Sequence, residues 1–334
     1  MTTPAIEVES LRKNYGPVLA VDNVNFAVAP GELVGLLGPN GAGKSTTMRI
    51  LTTWLPASSG IARVCGLDVF ESPLEVRKKI GYLPESVPIY PEMRVEEYLA
   101  YRARLKGLPR ATRQTRIDYV LERCRIKEVR RRLAGTLSKG YRQRVGLADT
   151  MLADPEVLIL DEPTSGLDPI QIQETLNTIR ELAGQHTVLL STHILSEVEA
   201  ICNRVIIINR GTLAWDGRLT DLASEQAVYT LEVRGPALQV SDWIRGQAGV
   251  VRVNTRRIED NLTQLDFETS IPGDHREDYA KQISGKGWTL RKLDLRQRQL
   301  PDLYFEVVRA RNAPSDFAMN PADESVPEES ATPV

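Results

Sequence analysis

The sequence predicts an α/β protein: a mixed sheet with an antiparallel N-terminal layer and a helical insert, followed by a small α+β unit of ferredoxin-like order. Three observations predict it. From residue 6 to about 221, short apolar runs ending in Gly or Asp alternate with helical periodicity, as parallel strands and crossover helices do. The N-terminal stretch instead alternates apolar with polar residues, the pattern of an antiparallel layer with one wet face. From about residue 227 the order becomes strand, helix, two strands, helix, strand, short helix, which is a split βαβ arrangement.

Each element has its own signal. Residues 6–9 and 20–28 alternate and are read as the antiparallel layer. Runs at 33–37, 157–160, 188–191 and 205–208 are nearly continuous in apolar residues, so these strands are buried on both faces. Residues 46–51 are helical, and 95–133 form a helical, arginine-rich stretch. In the last third, strands are expected at 228–233, 250–255, 262–268 and 289–295, with helices at 238–244, 277–284 and 300–308. Trp243 and Trp288 read as core residues of that unit. The expected organisation is a main domain over 1–222 with its insert at about 92–145, an accessory domain over 225–310, and a tail over 311–334. From Asn312 that tail holds five acids, four prolines and no base, so disorder is expected.

Composition excludes more than it suggests. Apolar residues at 42%, charged residues at 26% and a net charge of -2 give no bulk field that would name a partner. No apolar run approaches the ~18 residues of a membrane span, and the N-terminus lacks the features of a signal peptide, so a cytoplasmic chain is expected. Cys65, Cys124 and Cys202 are odd in number and far apart, which suits neither a disulfide framework nor a zinc site; buried thiols are expected.

Chemistry concentrates in two runs. Gly38, Pro39, Asn40, Gly41, Ala42, Gly43, Lys44, Ser45 and Thr46 satisfy G-x-x-x-x-G-K-[ST] between a strand and a helix, the pattern of a P-loop. The glycines aim consecutive N–H groups into a nest, and the following helix adds its positive end for the β- and γ-phosphates of a nucleotide. Lys44 would bring a charge to those phosphates and Ser45 a hydroxyl to Mg²⁺. The second run is the apolar strand that ends in Asp161 and Glu162. Two carboxylates there are expensive unless they serve something charged. Asp161 would hold Mg²⁺ and Glu162 would polarise an attacking water, whereas a strand with this ending and no P-loop more often opens a solvated loop.

Leu137, Ser138, Lys139, Gly140, Tyr141, Arg142, Gln143 and Arg144 stand just before that strand and resemble the Leu-Ser-Gly-Gly-Gln signature of ATP-binding cassette (ABC) ATPases. Lys139 and Tyr141 depart from the motif; Ser138 and Gly140 keep it. The run from Asp161 through Pro163, Gly166 and Asp168 is similar to the family's Walker B and D-loop, and His193 after Ser191-Thr192 to its switch histidine. This resemblance covers about residues 6–221. It implies an α/β P-loop cassette that hydrolyses ATP with Mg²⁺ and pairs head to tail with a second cassette, a homodimer being expected. Each ATP would lie between one P-loop and the other cassette's Ser138, Lys139 and Gly140. It further implies that His193 holds the γ-phosphate and the attacking water, that Asp168 connects the two sites, and that Tyr15 stacks on adenine.

The resemblance also implies a separate multi-span permease subunit, a peripheral place on the inner face of the cytoplasmic membrane, and membership of the bacterial export group (drug, sodium, polysaccharide or gliding-motility systems). A soluble ATPase acting on ribosomes or DNA is the alternative, but the chain has one P-loop and no long heptad run. Residues 100–132 hold twelve Lys or Arg against three Asp or Glu, an excess of nine. Such a surface suits anionic headgroups or acidic loops of a permease, and equally a solvated helix face; without interleaved aromatic residues, nucleic acid is not expected.

After Gly81-Tyr82-Leu83-Pro84 the family places a glutamine that touches Mg²⁺; here the residue is Glu85. A carboxylate still suits the metal but adds negative charge near the γ-phosphate. Glu85→Gln is expected to retain ATPase activity in a steady-state phosphate-release assay; complete loss would show a specific need for the carboxylate.

Overall fold

The computed structural model describes residues 3–310, except 226, 260, 272 and 298; the acidic tail expected at 311–334 lies outside the described residues. The chain runs β1 (Ile6–Tyr15), β2 (Val18–Val28), β3 (Leu33–Leu37), α1 (Lys44–Leu51), β4 (Ser59–Val64), β5 (Leu67–Asp68), α2 (Pro73–Lys79) and β6 (Ile80–Leu83). It continues with α3 (Val95–Leu105), α4 (Arg110–Arg123), α5 (Lys139–Met151), β7 (Val157–Asp161), α6 (Pro169–Leu182), β8 (Thr187–Thr192), α7 (Leu195–Ile201), β9 (Arg204–Asn209) and β10 (Thr212–Arg218).

Two sheets build this part. Strands β2-β1-β4-β5 form the antiparallel layer, and β10-β9-β3-β8-β7-β6 a mixed sheet in which only β10 runs antiparallel to its neighbour. The pleat explains the continuous apolar runs. Leu33 and Leu37 of β3, Leu158 and Leu160 of β7, and Val188 and Leu190 of β8 enter a core shared with the helices α3 to α7. Their neighbours Val34, Leu36, Val157, Ile159 and Leu189 enter a second core, shared with Ile6, Val8 and Leu11 of the antiparallel layer. Every residue of these strands is buried, and each Val, Leu or Ile side chain contributes about 1.5–3 kcal/mol.

The order of β8 between β3 and β7 brings three strand ends together at one edge. The P-loop leaves β3, the acidic pair leaves β7, and His193 leaves β8. In a parallel sheet such a row of C-terminal strand ends is where ligands bind.

The arginine-rich insert folds as α3, α4 and the start of α5. Part of its basic excess is met by acids outside residues 100–132. Arg102 and Lys106 of α3 face the buried Asp149 of α5, at 2.9 and 3.6 Å. Arg116 pairs with Asp154, Arg130 with Glu96, and Arg123 and Arg125 both with Glu181. Burial lowers the Lys106 pKa, and the charge of Asp149 opposes that shift. These pairs tie the insert to α5, to the loop after it and to α6.

A third sheet follows α8 (Leu219–Glu225). It contains β11 (Ala227–Arg234), β12 (Val250–Glu259), β13 (Leu262–Thr269) and β14 (Thr289–Gln297) in the order β12-β13-β11-β14, all antiparallel. Helices α9 (Ala237–Arg245) and α10 (Arg276–Gly285) cross one face, giving the ferredoxin-like order expected from the sequence. Tyr229 stacks on Phe267 in its core, ring centroids 5.1 Å apart. Trp243 and Trp288 meet edge to face at 5.7 Å against that core. The last helix, α11 (Leu300–Ala310), leaves this unit and packs on the first.

Cys124 and Cys202 are buried, and desolvation pushes both thiols up to about 12. Cys65 is only half-buried; burial, aided by Glu156, raises it to about 11. Among the described residues no helix is long and apolar enough to cross a membrane.

If β7 feeds two cores, adjacent residues must both be costly to truncate. Leu158→Ala and Ile159→Ala are each expected to lose about 2–5 kcal/mol in thermal or denaturant unfolding. A strand with one wet face would tolerate one of the two at little cost.

Candidate functional site

A cavity of about 530 Å³ lies at the row of strand ends, lined by Asn40, Gly41, Ala42, Gly43, Lys44, Ser45, Thr46, Glu162 and His193, together with Ala20, Glu85 and Ser165. Gly43 begins α1 with a φ of 106°, and a Cβ there would meet the Ala20 carbonyl at 2.6 Å. Only glycine combines that backbone with that contact. Gly38 is equally confined, since a Cβ would stand 2.2 Å from the Ile208 carbonyl. Lys44 is buried; its ammonium donates to the Gly38 carbonyl at 2.7 Å and lies 3.6 Å from Glu162 Oε1.

The acidic pair is held from both sides. Asp161 Oδ1 accepts Ser45 Oγ at 3.1 Å and Ser191 Oγ at 2.6 Å. Glu162 takes a left-handed backbone, φ 47°, at the point where the chain turns out of β7. A non-glycine residue there stores about 1–3 kcal/mol of strain and needs anchoring. Its N–H donates to Ser191 Oγ at 2.9 Å and to the Ser191 carbonyl at 3.2 Å. Its Oε2 accepts His193 Nδ1 at 2.8 Å. Nearby, burial raises the Tyr82 hydroxyl pKa, and the Asp161 charge adds to it.

Ser45 Oγ and Asp161 Oδ1 together offer hard oxygen donors beside the phosphate nest. Among the described residues no three His, Cys, Asp or Glu side chains gather into a cage. That donor set fits Mg²⁺, which keeps water and substrate oxygens and takes only one or two ligands from protein.

Ser138, Lys139 and Gly140 do not join this cavity. Ser138 caps α5 by accepting the Tyr141 N–H at 3.3 Å, and Lys139 lines a separate cavity of about 430 Å³ with Glu85, Arg142, Gln143 and Ser165. Asp168 caps α6, accepting the Gln171 N–H at 2.9 Å. The two caps abut: a Cβ on Gly140 would strike Gln171 Oε1 at 2.1 Å, and one on Gly166 would strike Lys139 Nζ at 2.2 Å. Signature and D-loop are thus in contact, and their cavity adjoins the P-loop cavity through Glu85 and Ser165, which line both. Tyr15 ends β1 half-exposed, with Lys13 Nζ 5.5 Å from its ring centroid, and Ala20 rather than Tyr15 lines the nucleotide cavity.

A P-loop, an acidic strand end, a histidine and a capped signature surface are the parts of one known machine, and comparison with known proteins decides which. A family model described as ABC transporter matches residues 21–165. YxlF of Bacillus subtilis (strain 168), described as an uncharacterised ABC transporter ATP-binding protein, is 36% identical over 308 residues, 91% of this chain and 100% of its own length. The chain belongs to the ABC transporter ATP-binding proteins. The bacitracin transport ATP-binding protein BcrA of Bacillus licheniformis is 33% identical, covering 84% of this chain and 98% of its own. The Nod factor export ATP-binding protein I of Ralstonia nicotianae is 36% identical over 71% of this chain and 76% of its own. A solved ATP-binding subunit of an ABC transporter superposes with a TM-score of 0.60 at 32% identity, over 66% of this chain and 92% of that one. As a member of this family the chain is a nucleotide-binding ATPase.

Sequence reasoning missed Ser191, which binds both acids. It stands in register with Asp161 across the β7–β8 pairing, so the strand order, once known, points to it. Ser191→Ala is expected to lower the turnover of this cassette about tenfold through a misplaced acidic pair, with ATP affinity little changed. Steady-state hydrolysis and nucleotide titration check this; unaltered turnover would show the hydroxyl to be dispensable.

Proposed function

We propose that this chain is the ATP-hydrolysing subunit of an ABC transporter and powers export through a separate membrane-spanning subunit. The Glu162–His193 contact of 2.8 Å, opening into the cavity lined by Lys44 and Ser45, is the observation that carries hydrolysis. Export rests on kinship: relatives with matched length are named for bacitracin transport and Nod factor export, which favours transport over work on ribosomes or DNA.

In this reading residues 38–46 and the N-terminus of α1 bind the β- and γ-phosphates, and Lys44 exchanges its carbonyl contact for them. Ser45 and Asp161 would hold Mg²⁺, with Glu85 at the cavity wall as a further oxygen donor. The metal, when bound, supplies charge neutralisation at the transferring phosphoryl group. Glu162 orients the attacking water and accepts its proton. His193 meets Glu162 through Nδ1 and would turn its other ring nitrogen to a γ-phosphate oxygen. Tyr15 stacks on the adenine from the rim.

Ser138, Lys139 and Gly140 serve the ATP of a second cassette, to which α5 turns its positive N-terminus. Their separation from the chain's own P-loop cavity supports this, and the abutting caps let Asp168 sense both sites. The cassette spans 1–222 with its insert at about 92–145, the accessory unit 225–310, and the chain works at the inner face of the cytoplasmic membrane.

Lys44→Ala is expected to abolish Mg²⁺-dependent hydrolysis by the purified protein. Glu162→Gln is expected to bind ATP and accumulate as a dimer on size exclusion; wild-type hydrolysis by this variant would remove Glu162 from the role of base. Co-purification of a multi-span protein from membranes tests the transport assignment.

A further inference from the structure

Helix α11 ends the accessory unit in sequence but belongs to the cassette in packing. Leu300 and Leu303, 2% and 6% exposed, sit in the cassette core with Val198, Ile201, Cys202 and Val205. Tyr304 and Val307 pack against the same core, and the helix contacts α7 and β9. Asn209 Nδ2, at the end of β9, donates to the Val307 carbonyl at 3.4 Å. The opposite side of α11 is bound by charge to the accessory sheet. Arg296 of β14 grips Asp302 with two bonds of 2.5 and 3.0 Å, and Arg252 of β12 reaches Glu306 at 3.2 Å.

What α11 covers is the support of the catalytic histidine. Helix α7 starts two residues after His193 and has only seven residues, too few to hold its own shape or place without packing. It is tied to the His193 turn by Thr192 Oγ1, which donates to Glu197 Oε2 at 2.7 Å and accepts the Ile194 N–H at 3.1 Å. The other carboxylate oxygen of Glu197 is buried without a hydrogen bond, so polar contacts anchor α7 only in part. At the end of β9, the Ile208 carbonyl presses on Gly38, the first residue of the P-loop. The start of α7 and the end of β9, the two elements that α11 contacts, therefore adjoin His193 and the P-loop.

We infer that α11 is a positioning element, through which the accessory unit sets the His193–Glu162 geometry by packing Leu303 and Tyr304 into the core that α7 shares. This rests on the catalytic reading of His193 given above. When the accessory sheet shifts, the Arg296–Asp302 grip carries α11 with it, and α7 follows. The accessory unit is then a throttle on hydrolysis.

The chain has three histidines, so their imidazole resonances can be followed separately in the full-length protein with isotope-labelled histidine. Leu303→Ala is expected to shift or broaden the His193 signal and leave that of His186, which is buried against the Pro155 carbonyl, unchanged. Hydrolysis per bound ATP should fall about tenfold, and Leu303→Met should restore both readouts. Val307→Ala, a milder truncation, should move both the same way by less and serves if Leu303→Ala fails to fold. The inference is overturned if His193 keeps its signal in a folded variant, or if turnover per bound ATP stays at the wild-type value while the signal moves and His193→Ala is inactive. If His193→Ala hydrolyses normally while Leu303→Ala still moves the His193 signal, the mechanical link stands and the catalytic reading of His193 falls.

Discussion

The structure depends on a hydrogen-bond network that joins three strand ends. Asp161 accepts from Ser45 after β3 and from Ser191 in β8, while Glu162, on a left-handed backbone, is held by the same Ser191 and by His193. Two carboxylates at the end of a buried strand would otherwise destabilise it. Here they are satisfied by Ser45 and His193, which line the P-loop cavity, and by the buried Ser191, so the contacts that stabilise the strand ends also shape the candidate site.

That network requires a rigid frame, and the alternating burial of β3, β7 and β8 supplies it. Each strand is fixed from both faces by separate cores, so none of the three ends can tilt without opening one of them. The helical insert shares one apolar core with this frame and adds ion pairs to other helices. Its arginines face Asp149, Asp154 and Glu181, which lie outside the segment, and a count of local charge could not anticipate that.

The P-loop cavity and the signature run lie in neighbouring clefts of one chain. The P-loop cavity takes in Lys44, Glu162 and His193, while Ser138, Gly140 and Asp168 form a second surface in which two helix caps lock together. In the proposed function a second cassette would supply the missing wall. Helix α11 adds a further dependence, because an element of the accessory unit completes the core beneath α7.

The strand runs, the P-loop, the acidic pair and the order of elements in the accessory unit are legible in the sequence, because each depends on periodicity or on a fixed local spacing. Glu85 and Tyr15 could be named but not placed. The role of Ser191 was hidden because it arises from register across two strands thirty positions apart, Asp161 opposite Ser191. The fate of the arginines was hidden for the same reason, their acids being distant in sequence. The placement of α11 is the clearest case. Its amphipathic pattern marks a helix with one buried face, yet only the tertiary structure decides that this face closes the cassette core rather than its own.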